Sequence, residues 1–143
     1  GDYVFFYATL PVEAAADWLP PAWGAFIIGQ FRLARDALTG EEYAALDAED
    51  AAPFETNAHV RRETTDSRVY LLGDSAASSL YDRALPLSRP TGGTDASRLV
   101  SVLSSDSGRG PWWRRPLRYD ATATRKLLAL HDAASAGLSK YHS

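Results

Sequence analysis

Two apolar runs near the start limit what this chain can fold into. Residues 2–10, DYVFFYATL, are dense in β-branched and aromatic side chains and stop at Pro11. That composition with that stop predicts a strand. Residues 25–38, AFIIGQFRLARDAL, carry Phe26, Ile28, Phe31 and Leu33 with Gly29 among them. A glycine inside a strand marks a bulge or a close backbone approach, so one long, bent strand is expected here. Between the two runs, Pro20, Pro21 and Gly24 mark a loop.

Helical signals follow. Thr39 is placed to cap a helix, GEEYAALDAEDAA, with Glu41 and Glu42 in its first turn and its end before Pro53. SRVYLLG, residues 67–73, predicts a strand, and Gly73-Asp74 turns it into a short helix near residues 78–84. LPLS, residues 85–88, reads as extended. After the loop RPTGGT, Thr94 or Asp95 caps a helix with Leu99, Val100 and Leu103 on one face. A second loop, SSDSGRGP, leads to Trp112 and Trp113 in an extended segment. The last helix runs from about Ala121 to a C-cap at Gly137. Strands and helices that do not alternate regularly make the class α+β.

The chain has 143 residues, 45% of them hydrophobic, enough for one domain with its own core. It has no cysteine, so neither a disulfide framework nor a thiolate metal site is open to it. No apolar run approaches 18 residues, so no membrane partner is expected, and a cytoplasmic location fits. The net charge of −3 argues against binding nucleic acid through bulk charge. The distribution says more. Acids gather between Asp36 and Glu55, while arginines gather at 61, 62 and 68 and again at 109, 114, 115 and 118. Arginine presents a planar fork suited to phosphate and base edges.

Three pieces occur in order: GDYVFFYATL, then WGAFIIGQFRLARD, then NAHVRR with VYLLGDSAASSLYDRALPLS. This arrangement, over about residues 1–90, resembles the nucleotide-modification-associated domains and, more distantly, the EVE and YTH branch of the PUA-like superfamily. The resemblance implies a small open PUA-like β-barrel with flanking helices and a C-terminal helix. It also implies recognition of a nucleobase, often a modified one, in an aromatic-lined cleft. In such domains the Gly-Asp strand lies inside the domain, so an N-terminal portion missing here, or supplied by a partner chain, is expected.

Several residues suit that task. Asn57, His59, Arg61 and Arg62 form a polar, basic loop able to meet phosphate or a base edge; the alternative is a turn with solvated arginines. Trp112, Trp113, Arg114, Arg115 and Arg118 interleave stacking faces with charge, or one Trp plugs the core under arginine stems. Trp18 and Trp23 either rim the cleft or close the barrel end. Tyr7, Thr9 and Gln30 could face the cleft, with core packing the alternative for Tyr7.

Enzyme motifs fit poorly. YLLGDSAAS lacks the late Asp-x-x-His of GDSL hydrolases, because His131-Asp132 stands in the reverse order. DSGRGP lacks a serine-protease histidine signature. The three histidines have no metal-ligand spacing, and no Gly-x-Gly-x-x-Gly loop is present, so no metal or other cofactor is expected. The leading expectation is a domain that binds nucleic acid, DNA before RNA, or a modified nucleotide, beside DNA-modification or restriction enzymes and without chemistry of its own. The alternatives are a nucleotide- or base-modifying enzyme using Asp2, His59 or Asp74, and a protein-interaction subunit.

Overall fold

The computed structural model describes residues 2–12, 22–58, 60, 68–89, 93–106 and 111–139, with side chains omitted at 12, 22 and 134–139. The elements are β1 (Tyr3–Val12), β2 (Ala22–Leu33), β3 (Leu38–Thr39), α1 (Gly40–Ala44), α2 (Ala48–Glu55), β4 (Val69–Tyr70), β5 (Gly73–Pro86), α3 (Arg98–Ser101), a 3-10 turn (Trp112–Arg114) and α4 (Ala121–Ser139). The class is α+β. The strands make antiparallel sheets, one of three strands in the order β1-β2-β5 and one of two, β3-β4. Among the described residues these pairings close no barrel. No described helix is long and apolar enough to cross a membrane.

The chain divides into two compact units. The first is Gly1–Val4 with Phe31–Ser79. In it, β3 and β4 pair antiparallel with Leu38 opposite Tyr70 and Thr39 opposite Val69. Leu38, Phe54 and Tyr70 form its buried centre. Tyr43 stacks on Tyr70 with ring centroids 4.1 Å apart, and Phe54 meets both rings edge-on. Thr39 caps α1 as expected, and with Glu42 it forms a reciprocal capping box.

The single helix expected after Thr39 is instead two. Asp47 holds an extended backbone and its side chain accepts from the Asp50 N–H at 2.9 Å, which starts α2 afresh. Nor does the helix end before Pro53. It continues to Glu55, with Phe54 turned into the core.

The second unit is Phe5–Gln30 with Leu80–Ser143. Its buried centre is Ala25, Ile27, Leu85, Leu87, Val100, Trp112 and Leu127. Ala25 and Ile27 alternate along β2, and Leu127 brings the face of α4 onto them. Ser88 ties this unit together. Its buried hydroxyl accepts from the Ala25 N–H at 2.9 Å and donates to the Gly93 carbonyl at 2.8 Å. Gly93 has φ +58°, a left-handed backbone that glycine adopts without strain.

Several boundaries differ from expectation. β2 starts at Ala22 and ends at Leu33, and Leu38 belongs to β3. Of the described residues 68–73, Val69–Tyr70 form a strand of the two-stranded sheet and Gly73 begins β5. The short helix expected near residues 78–84 is strand, part of the 14-residue β5. Alanine, serine and leucine favour or tolerate a helix locally, and sheet pairing overrides that preference. Ser97, rather than Thr94 or Asp95, caps α3. α4 passes through Gly137 to Ser139.

Candidate functional site

The tryptophan pair shows how the second unit builds a surface. Trp112 and Trp113 lie in a 3-10 turn, not an extended segment. Trp112 points into the core at 5% exposure, and its indole N–H donates to the Thr94 carbonyl at 2.8 Å. Trp113 is half-buried and packs edge-on against Trp112, with ring centroids 6.0 Å apart at 83°. The Tyr7 hydroxyl donates to the Trp113 carbonyl at 2.9 Å, which fixes the backbone under the second indole. Arg114 is exposed beside it and Arg115 is half-buried.

Arg118 is engaged elsewhere. Its backbone N–H, Nε and Nη2 all donate to the buried Asp106 carboxylate, at 2.9, 3.1 and 3.0 Å. This bidentate, charge-assisted contact raises the Arg118 pKa and fixes the chain after the tryptophans. Trp23 is half-buried on β2, with its carbonyl accepting from the Gly93 N–H and its indole lying against the Gly93 turn.

The remaining expected residues are scattered or undescribed. Trp18, His59, Arg61 and Arg62 lie outside the described residues. Asn57, in the first unit, is exposed after α2. Its N–H donates to the Phe54 carbonyl and its carbonyl accepts from the Val60 N–H, each at 3.0 Å, so its backbone forms a turn. Asp74 accepts from the Ala76 N–H at 3.0 Å, a local turn contact. Thr9 is exposed on β1.

A second cluster in the same unit was only partly visible from sequence. The Tyr81 hydroxyl on β5 donates to Gln30 Oε1 on β2 at 2.5 Å. His131 on α4 stacks on Tyr81, with ring centroids 3.9 Å apart at 22°. Asp132 Oδ1 lies 3.4 Å from His131 Nδ1. Burial, with the Asp132 charge adding to it, pushes the Tyr81 phenol up to about 12, so it remains a protonated donor at neutral pH. Gln30 was a candidate by its place beside Gly29, whereas nothing in the local pattern pointed to Tyr81 or Asp132. Among the described residues, no group of three or more His, Cys, Asp or Glu gathers as a metal site.

A family model described as nucleotide modification associated domain 3 matches residues 1–129. No curated protein and no solved structure matches the chain.

Proposed function

We propose, from the premise that this chain belongs to the nucleotide modification associated domain 3 family, that it binds a nucleobase within nucleic acid in support of DNA modification or restriction. The observation that carries this reading is Trp113. It is a half-buried indole packed edge-on against Trp112, on a backbone whose carbonyl accepts from the Tyr7 hydroxyl, with exposed Arg114 next to it. An indole held this way offers a stacking face without needing to be ordered on binding. Every base has a π-face, and aromatic stacking contributes about 1–3 kcal/mol per base. Arg114, flanked by Arg115, supplies the charge for the phosphate, which positions the strand without reading its sequence.

Trp23, in the same unit as Trp113, belongs to this reading as a further contact; Trp18, Asn57, His59, Arg61 and Arg62 are proposed as nucleic-acid contacts from the sequence alone. Trp112 acts as the anchor beneath Trp113 rather than as a contact. A PUA-like arrangement of the strands and a preference for DNA over RNA are parts of the proposal that rest on resemblance, and a cytoplasmic location is proposed with them.

The test is binding of fluorescent single-stranded DNA, plain and base-modified, across a salt series. Trp113→Ala is expected to weaken binding about 5- to 150-fold, the range that one lost stack implies. Arg114→Ala is expected to lower the salt slope by about 0.7, the value for one phosphate contact on a single strand. No binding by the parent at about 50 mM salt, where phosphate contacts are strong, overturns the reading.

A further inference from the structure

We propose that Trp23 and Trp113 are two stacking platforms spaced by the Gly93–Thr94 turn, and that the ligand is a single strand whose bases reach both. The proposal rests on the nucleobase-binding reading above and assigns that site its substrate class.

The two indoles are joined through consecutive residues. The Trp23 carbonyl on β2 accepts from the Gly93 N–H, and the Trp23 ring atoms Cζ2 and Cε2 lie 3.9 and 4.0 Å from where a Cβ on Gly93 would sit. The carbonyl of the next residue, Thr94, accepts from the Trp112 indole N–H at 2.8 Å. Trp112 in turn meets Trp113 edge-on, with ring centroids 6.0 Å apart. Trp23 and Trp113 thus stand at the two ends of one run of contacts. Both are half-buried, and Thr94 in the middle of the run is exposed.

The turn is a fixed spacer. Gly93 is tied to β2 at its N–H through Trp23, and at its carbonyl through Ser88, whose hydroxyl also accepts from the Ala25 N–H on β2. Laid end to end with ordinary backbone and ring dimensions, the contacts from Trp23 to Trp113 leave the indole centres at most about 25 Å apart. A stacked strand advances about 3.4 Å per nucleotide and an opened one further, so fewer than about ten nucleotides reach across both. A base inside a duplex is covered by its neighbours and meets an indole only after leaving the stack. Two platforms in one unit therefore favour a strand that is already open. A fixed spacing lets the second base bind from the same strand without a second loss of translational freedom.

The experiment uses fluorescent DNA strands of about ten nucleotides, a length that the 25 Å bound allows to span both indoles. One strand carries all its bases. The others are abasic except at one position, or at two positions whose separation is scanned. The parent is expected to bind the best-spaced two-base strand at least about fivefold more tightly than the one-base strand, the gain from one further stack. A single platform would allow only about a twofold gain, from statistics alone, with no dependence on spacing. The full strand annealed to its complement is expected to bind at least about fivefold more weakly than the strand alone, for want of open bases. Trp23→Leu keeps apolar bulk and removes the stacking face. It is expected to abolish the two-base advantage while the one-base strand binds within about twofold of the parent. Thermal unfolding identifies a variant that is not folded, and the spacing scan on the parent needs no variant.

A parent that binds the full strand, yet gains no more than about twofold from a second base at every spacing, overturns this inference and leaves the binding function standing. So does a two-base advantage unchanged in folded Trp23→Leu. Duplex bound as tightly as single strand overturns the assignment of substrate class. A parent that binds none of the strands overturns this inference and the binding function together.

Discussion

Arg118 and Asp106 are joined by three hydrogen bonds that close a loop of the second unit. Two run from the guanidinium and one from the backbone of the same residue. Asp106 is buried, and its own N–H is held by the Ser104 hydroxyl at 3.1 Å. Removing the carboxylate leaves the Arg118 N–H without its acceptor. Asp106→Ala is therefore expected to lower stability by about 1–3 kcal/mol, read from the denaturant midpoint at constant m. Arg118→Ala should also lower the midpoint yet leave the salt slope of DNA binding unchanged, because this guanidinium is already engaged. A fall in that slope would return Arg118 to the group of phosphate contacts.

Ser88→Ala makes a second test of the same unit. The variant loses the acceptor for the Ala25 N–H and the donor to the Gly93 carbonyl at once. A loss of about 1–3 kcal/mol is expected, the range for leaving a buried donor unsatisfied. Ser88→Thr keeps the hydroxyl and should recover part of it. Urea titration of both variants checks the order.

Tyr81 and Tyr119 bear on alkaline pH. Burial raises both phenols to about 12, with the Asp132 charge adding to the effect at Tyr81. Unfolded tyrosine ionises near 10. Between those values the unfolded chain has lost protons that the folded chain retains. The contribution is thus whole below pH 10 and falls away as pH rises toward 12. The double variant Tyr81→Phe/Tyr119→Phe should show a shallower alkaline loss of melting temperature than the parent. The two singles should differ at neutral pH. The Tyr119 hydroxyl is buried without a partner among the described residues, so its removal should be neutral or stabilising. Removing the Tyr81 hydroxyl breaks its bond to Gln30 and should destabilise.

Thr39→Ala tests the first unit. It removes the side-chain acceptor of the capping box, and a loss of about 1 kcal/mol is expected. The Glu42 pKa is lowered chiefly by its hydrogen bond to the Thr39 backbone, with the Thr39 side chain adding to it. The box therefore contributes above the ordinary carboxylate range and fades as pH falls through the lowered value. Acid titration of the melting temperature should be flatter in Glu42→Gln than in the parent, whereas Thr39→Ala keeps the backbone donor and with it most of the acid dependence.

What could be read from sequence was mostly local. The aromatic run at β1, the Thr39 cap and the start of α4 each carry their signal within a few residues. The break between α1 and α2 was also local, because Asp47 stands where an N-cap belongs, but an uninterrupted run of helix formers masked it. β5 was not legible. GDSAASSLYDRALP carries little strand preference, and its partners lie far away in the chain. The tryptophan segment carries the signal of an extended stretch, and its 3-10 turn still directs the two indoles differently. The Gln30–Tyr81 contact spans 51 positions, and the stack of Tyr81 on His131 links a strand to the last helix. No window of sequence contains both ends of such contacts.

The attachments of the tryptophan turn have a kinetic consequence. Trp112 is tied to Thr94, 18 positions back, while Trp113 is tied to Tyr7, 106 positions back. Contacts of such separation form only after long loops have closed, so they come late in folding. The stacking surface is thus a late product of the folding route. A chain that lacks β1 carries the same indoles without the Tyr7 attachment. A ligand that recognises the stacking surface would act as a check on completed folding, and would slow the loss of the finished form.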